Sequence, residues 1–265
     1  MNFGLVIIGD EILSGKRQDK HLAKVIELLA VRGLALSWAR YAGDDRQLIT
    51  AVLRDAFAGG DVVFSCGGIG ATPDDHTRQC AAAALGVPLQ LHPLARELIR
   101  ERMRDVAAEQ GLPFEPERAD NLHRLNMGLF PEGAALIPNP YNKIPGFSVG
   151  SVHFLPGFPV MAWPMIEWLL DTQYSALHGQ AVQRERSVIV YGAMEAALTP
   201  LMEEVERRFA SVKVFSLPCV DEQHAHGRHI ELGVKGPPEQ ADDAFVVLRE
   251  GLVALAARCG PEMVR

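Results

Sequence analysis

The chain has 265 residues, 48% of them hydrophobic and 22% charged, with 26 basic against 33 acidic side chains and a formal charge of −7. This composition excludes a chain disordered along its length, and the acidic balance excludes a generic binder of nucleic acid, whose backbone selects positive surfaces. Cys66, Cys80, Cys219 and Cys259 form no C-x-x-C pair, which excludes zinc-ribbon and thioredoxin motifs and points to reduced thiols in a cytoplasmic protein.

The N-terminal apolar run has no basic stretch before it and meets Asp10-Glu11 at once, so it is not read as a signal peptide. No run approaches the roughly 20 apolar residues that cross a bilayer, and no membrane association is expected. Residues 2–8 form a buried-type strand ending at Gly9. Residues 20–32 carry Leu22, Val25, Ile26 and Leu29 at helical spacing, with Asp19 as N-cap and Gly33 as terminator. A strand at 34–41, a helix at 46–58, a strand at 61–66 and a helix at 77–85 closed by Gly86 continue the alternation. Such alternation predicts a parallel sheet covered by helices.

A charged helix at 93–110, with Leu94, Leu98 and Met103 on its apolar side, comes next, then a helical piece at 122–127. Segments 134–139 and 151–155 read as later strands of the same sheet, and 164–174 as the helix that closes it. A polar linker at 173–184 precedes strand 187–191, helix 194–209, strands 212–217 and 229–235, and helix 240–257. The predicted organisation is an α/β domain over residues 1–172 and a small α+β domain over 185–265.

Two loops carry the chemistry. Gly9-Asp10-Glu11-Ile12-Leu13-Ser14-Gly15 follows the first strand, and Gly67-Gly68-Ile69-Gly70-Ala71-Thr72-Pro73-Asp74-Asp75 follows the third. Ligands of open parallel sheets bind outside the carboxyl ends of the strands, where both loops fall. Glycines let the backbone approach a ligand, and successive N–H groups can form a nest for phosphate oxygens, aided by the helix that starts near Thr77. Asp74 and Asp75 can cap that helix or hold a divalent metal that bridges to the phosphates. Neither loop is the dinucleotide fingerprint or the P-loop.

With two further motifs, Asn139-Pro140 through Phe147 and Leu155-Pro156-Gly157-Phe158-Pro159, the chain resembles the MoaB/Mog-type molybdopterin-binding fold, and within it the N-terminal domain of the CinA family. The resemblance covers about residues 3–170. It implies a three-layer, mainly parallel sheet with a mixed edge, a pocket for a nucleotide or pterin phosphate, and metal-dependent hydrolysis of a nucleotide pyrophosphate such as ADP-ribose. Two alternatives stand beside it: a catalytically inactive ligand-binding module, and a molybdopterin adenylyltransferase.

Carried over by the resemblance, Asp10, Glu11, Asp74 and Asp75 are the catalytic candidates. Gly9, Gly67, Gly68, Gly70, Thr72, Thr77, Asn139, Pro145 and Gly146 are the ligand-binding ones. Asp75 and Asp74 are the candidate holders of a divalent metal ion, molybdopterin is a candidate ligand, and a homo-oligomer is expected.

The chain departs from the family pattern at several positions. Ala71 stands for a proline, and Asn142-Lys143-Ile144 for Gly-Thr-Ala. There Asn142 is expected to carry the left-handed turn and Lys143 to bring a cation beside the anion. Met161 stands for a glutamate, and His21 for an asparagine. His224, His226 and His229 form an H-x-H-x-x-H string, read as a solvated connection between strands in preference to a metal site. His76 faces either the ligand or the surface, and Phe154, Phe158, Trp163 and Trp168 are read as packing rather than as a stacking platform.

Overall fold

In the computed structural model, residues 1–179, 183–221, 223 and 225–265 are described. They divide into two compact units, Met1–His178 and Gly179–Arg265.

The first unit runs β1 (Phe3–Ile8), α1 (Asp10–Leu13), α2 (His21–Ala30), β2 (Leu36–Ala42), α3 (Arg46–Gly59), β3 (Val62–Cys66), α4 (Thr77–Leu85), β4 (Leu89–Leu91), α5 (Pro93–Glu109), α6 (Ala119–Arg124), β5 (Leu129–Pro131), β6 (Ala135–Ile137), β7 (Gly146–Val149), β8 (Val152–Leu155) and α7 (Pro159–Thr172). Six strands form one sheet in the order β2-β1-β3-β8-β7-β6. The first four are parallel and the last two pair antiparallel. β4 and β5 make a separate two-stranded ribbon.

β1 is apolar at every position but Gly4 because it lies inside the sheet and is covered on both faces. Phe3, Leu5 and Ile7 pack with Val25 and Leu29 of α2 and Ile166 and Leu169 of α7. Val6 and Ile8 point the other way, to Ile49 and Leu53 of α3 and Cys80 and Ala81 of α4. Strand alternation thus builds three layers, helices–sheet–helices. The parallel order puts the carboxyl ends of β1, β2, β3 and β8 along one edge.

The structure differs from the sequence reading at a few places. α7 starts at Pro159, where a missing N–H is harmless at the first helical position, and Pro164 is carried inside it. The segment before β8 contains β7, which turns into β8 at Gly150 (φ 57°). The buried face of α5 is Ala95, Ile99 and Met103, one position on from Leu94 and Leu98, and Leu94 is exposed. Lys20 precedes α2 as its cap residue, but the Asp19 carboxylate accepts from the His21 and Leu22 amides and serves the end as expected.

The second unit runs β9 (Arg184–Tyr191), α8 (Glu195–Arg208), β10 (Lys213–Cys219), β11 (His229–Gly236), α9 (Pro238–Ala254) and β12 (Arg258–Val264). Its antiparallel sheet has the order β10-β11-β9-β12, a split βαβ arrangement. Val188, Val190 and Leu232 meet Leu201, Phe245 and Leu248 of the two helices. The sequence pattern does not predict β12, because Gly260-Pro261 reads as a breaker. As an edge strand with an irregular register between Cys259 and Glu262, it accommodates the proline. Of the histidine string, His224 lies outside the described residues, as does Glu222 beside it.

Candidate functional site

The glycine loop after β3 is built from its carbonyls outward. Thr77 Oγ1 donates to the Gly67 carbonyl at 3.0 Å, and the Thr77 amide donates to the Gly68 carbonyl at 3.0 Å. The Arg78 guanidinium donates to the carbonyls of Ile69 and Gly70, the latter at 2.7 Å. In a trans peptide the C=O and the following N–H point in opposite directions. Fixing the carbonyls of Gly67, Gly68, Ile69 and Gly70 toward Thr77 and Arg78 therefore turns the amides of Gly68, Ile69, Gly70 and Ala71 the other way. Among the described residues none of these amides has a protein acceptor. Gly67 (φ 113°) and Gly68 (φ 67°) make the turn that allows this.

Those four residues line a cavity of about 540 Å³ at the carboxyl edge of the sheet. The result is a row of backbone donors on a cavity wall, the arrangement that receives anions. Arg78 adds charge beneath it. Its side chain is 3% exposed, burial pulls its pKa down while Asp75 opposes that, and a guanidinium stays protonated regardless.

Asp75 closes the loop. Its Oδ2 accepts from the Thr72 amide at 2.8 Å and the Thr72 hydroxyl at 2.6 Å, while its own amide donates to the Thr72 carbonyl. Gly70 lacks a side chain for this reason, since a Cβ there would stand 2.5 Å from Asp75 Oδ2.

Glu11, Asp44 and Asp74 bring carboxylates to the same cavity. Asp10 does not line it. Its Oδ1 accepts from the Asp44 amide at 3.1 Å, and its amide donates to Asp44 Oδ2 at 2.9 Å, a reciprocal clasp that joins the ends of β1 and β2. Burial pushes the Asp44 carboxyl above the usual range, and Asp10, Glu11 and Asp74 reinforce the shift, against the Asp10 amide.

The third motif forms another wall. Asn139 is 5% exposed; its Nδ2 donates to Asn142 Oδ1 and the Ile144 carbonyl, and its Oδ1 accepts from the Tyr141 amide. Asn142 Nδ2 approaches Met161 Sδ at 3.3 Å. Two expectations fail here. The left-handed residue is Lys143 (φ 66°), not Asn142. The Lys143 ammonium does not reach the cavity: it is held by Glu101 at 2.6 Å and Asp105 at 2.7 Å on α5. His21 Nε2 donates to the Gly157 carbonyl at 3.0 Å, tying α2 to the turn before α7.

Of the residues singled out in the sequence, Gly9, Glu11, Gly67, Gly68, Gly70, Thr72, Asp74, Asp75, Asn139 and Pro145 come together around one cavity. Thr77 is fully buried behind the loop and acts on its carbonyls. Gly146 lies in β7, where a Cβ would overlap the Phe154 carbonyl. His76 and Asp10 stand outside the lining. Sequence reasoning missed Arg17, Asp44, Arg78 and the cavity position of Phe158. Asp44 had a signal: with Gly43 it follows β2 at the same sheet edge.

Among the described residues no three or more His, Cys, Asp or Glu side chains are grouped to hold a metal ion. Asp75, the first candidate ligand, is committed to Thr72. No helix among the described residues is long and apolar enough to cross a membrane.

Known proteins resemble this chain in sequence and in fold. The family model of the probable molybdopterin binding domain matches residues 4–176. A protein of Pyrobaculum calidifontis is 30% identical over 256 residues, covering 95% of this chain and 94% of its own length. A CinA-like protein of Anaeromyxobacter dehalogenans is 35% identical over 175 residues, 64% of this chain and 40% of that protein, so this chain spans under half of that relative. Among solved structures, the protein CinA from Thermoplasma acidophilum superposes with a TM-score of 0.54 at 27% identity, over 64% of this chain and 98% of that one. The chain belongs to the probable molybdopterin binding domain family, and CinA-like proteins are among its relatives.

Proposed function

We propose that the cavity binds the phosphate end of a nucleotide or molybdopterin-type pterin, and that the chain hydrolyses a nucleotide pyrophosphate such as ADP-ribose there. The observation that carries the reading is the row of unpaired amides at Gly68, Ile69, Gly70 and Ala71, fixed by Thr77 and Arg78 on the cavity wall. Preorganised donors of this kind stabilise charge that grows on phosphate oxygens as a phosphoanhydride breaks.

Glu11, Asp44 and Asp74 supply carboxylates to the same space. One of them accepts a proton from the attacking water while the leaving phosphate departs as an anion held by the amides. Asp44 is suited to this, since its pKa is raised toward the working pH. Asp75 organises the loop and takes no part in the proton transfer.

A binding-only module is the second reading. Met161, engaged with Asn142 at a position where the family pattern has a glutamate, favours it. The deciding experiment is a screen of ADP-ribose, FAD and NAD for hydrolysis, with and without added magnesium, run beside calorimetric binding of ADP-ribose. Hydrolysis abolished by Asp44→Asn supports the enzyme. Binding without turnover supports the module, and absence of binding refutes both.

A further inference from the structure

Phe158 is out of place for a packing residue. It precedes α7 as its cap, it is 54% exposed, and it lines the cavity. Its apolar neighbours in the chain differ: Phe154 is fully buried and stacks on Phe147 with centroids 4.4 Å apart. An aromatic ring left open on a cavity wall is available to the flat face of a ligand.

Arg17 also lines the cavity, and its guanidinium stands over the Phe158 ring, 5.8 Å from the centroid. Arginine is the cation that stacks on flat π-systems as well as on aromatic side chains. The pair therefore offers two planar groups, one over the other, at the cavity wall.

The position of this pair relative to the amides is set by glycines. A Cβ on Gly157 would lie 3.4 Å from the Gly67 Cα, so the turn before α7 packs on the glycine loop itself. Phe158 is the next residue, one Cα step of about 3.8 Å away. A ring placed there is within the reach of a sugar–phosphate whose phosphates meet Gly68 to Ala71. Ile12 and Met127 are further apolar residues of the lining.

We infer that Phe158 and Arg17 form the subsite for the planar heterocycle of the ligand, so that the cavity selects phosphates that carry an aromatic ring over phosphates that do not. This rests on the phosphate-binding reading of the amide row. The heterocycle stacks on this pair, while the backbone amides take the phosphates. Specificity for the ring thus resides in the turn before α7, and affinity for phosphate in the loop after β3.

The test is calorimetric titration of the full chain with ADP, AMP, ribose 5-phosphate and inorganic pyrophosphate, for wild type, Phe158→Ala and Arg17→Gln, with folding checked by thermal melts. Wild type is expected to bind AMP at least about tenfold more tightly than ribose 5-phosphate, which differs from it by the base alone, the scale of one base–aromatic stack. Phe158→Ala should remove that advantage and leave pyrophosphate affinity within about twofold. Arg17→Gln, which keeps a planar group without charge, should lose less for ADP than Phe158→Ala does. Equal loss for ADP and pyrophosphate, or no loss for either, overturns the ring subsite while the phosphate site stands. Failure of wild type to bind pyrophosphate and ADP alike overturns the phosphate site and this subsite together. Should Phe158→Ala melt well below wild type, Phe158→Leu gives the same reading, because it keeps apolar bulk and removes the ring.

Discussion

Replacing Gly68 by alanine perturbs the site at its most constrained point. Gly68 has φ 67°, and a Cβ there would overlap Thr77 Oγ1 and lie 3.2 Å from Thr77 Cβ. Two costs add. The left-handed backbone costs a non-glycine residue about 1–2 kcal/mol. Displacing the Thr77 hydroxyl strands the buried Gly67 carbonyl, about 1–3 kcal/mol more. Gly86 supplies the control: it has φ 69° at the end of α4, and a Cβ there would meet nothing within 4 Å, so Gly86→Ala carries the backbone cost alone. Gly68→Ala should therefore be less stable than Gly86→Ala by about 1–3 kcal/mol in chemical denaturation. It should also lose pyrophosphate affinity at temperatures where it remains folded, whereas Gly86→Ala should bind as wild type. Equal stability of the two variants together with undiminished binding by Gly68→Ala would refute the geometry assigned to the loop.

Three other outcomes follow from the structure. Asp75→Ala should cost about 0.5–1.5 kcal/mol, because the Thr72 amide and hydroxyl it frees are exposed and turn to water, while Asp75→Asn, which still presents an acceptor, should melt near wild type and keep most of any turnover. A fall of about 100-fold in turnover with Asp75→Asn, the scale of one transition-state contact, would instead make Asp75 a direct participant. Asp44 has a raised carboxyl pKa, so its proton favours the folded state and a penalty sets in as pH rises through the ordinary carboxyl range to the raised value. Asp44→Asn should therefore raise Tm at pH 7, with the advantage vanishing in melts below the ordinary carboxyl range; no gain at pH 7 contradicts the burial argument. His153 is fully buried between Ser148 Oγ (2.7 Å) and Tyr174 OH (2.6 Å), and burial pulls its pKa from 6.5 down to about 4. Its contribution is whole above pH 6.5 and is lost as pH falls toward 4, about 3 kcal/mol in all; His153→Gln should flatten the Tm profile over that window, and an unchanged slope would argue against it.

Much of this is legible in the sequence because it depends on local chemistry. The apolar runs at β1 and β3, the glycines after each, and the carboxylates that follow them all mark one sheet edge without reference to distant residues. What stays hidden depends on tertiary placement. Arg78 looks like any solvated arginine near a helix start, and only the return of α4 beneath the loop brings it to the Ile69 and Gly70 carbonyls. Lys143 reads in sequence as a cation for the anion, because its approach to Glu101 and Asp105 spans some 40 residues of chain. Thr77 reads as a ligand contact, whereas its hydroxyl serves the Gly67 carbonyl from behind. β7 stays hidden because its four residues, Gly146–Val149, mix glycine and serine with two apolar side chains, and only its pairing with β8 across Gly150 makes it a strand. At the C-terminus the proline that suggests a break lies in an edge strand, which tolerates it.

The central claim is that the amides of Gly68, Ile69, Gly70 and Ala71 are the phosphate donors. The most direct measurement is a titration of the ¹⁵N-labelled chain with inorganic pyrophosphate, followed by amide chemical shifts. The account predicts that the largest shifts fall on those amides and that they vanish in Gly68→Ala. Saturable shifts centred elsewhere, with these amides unmoved, would contradict it.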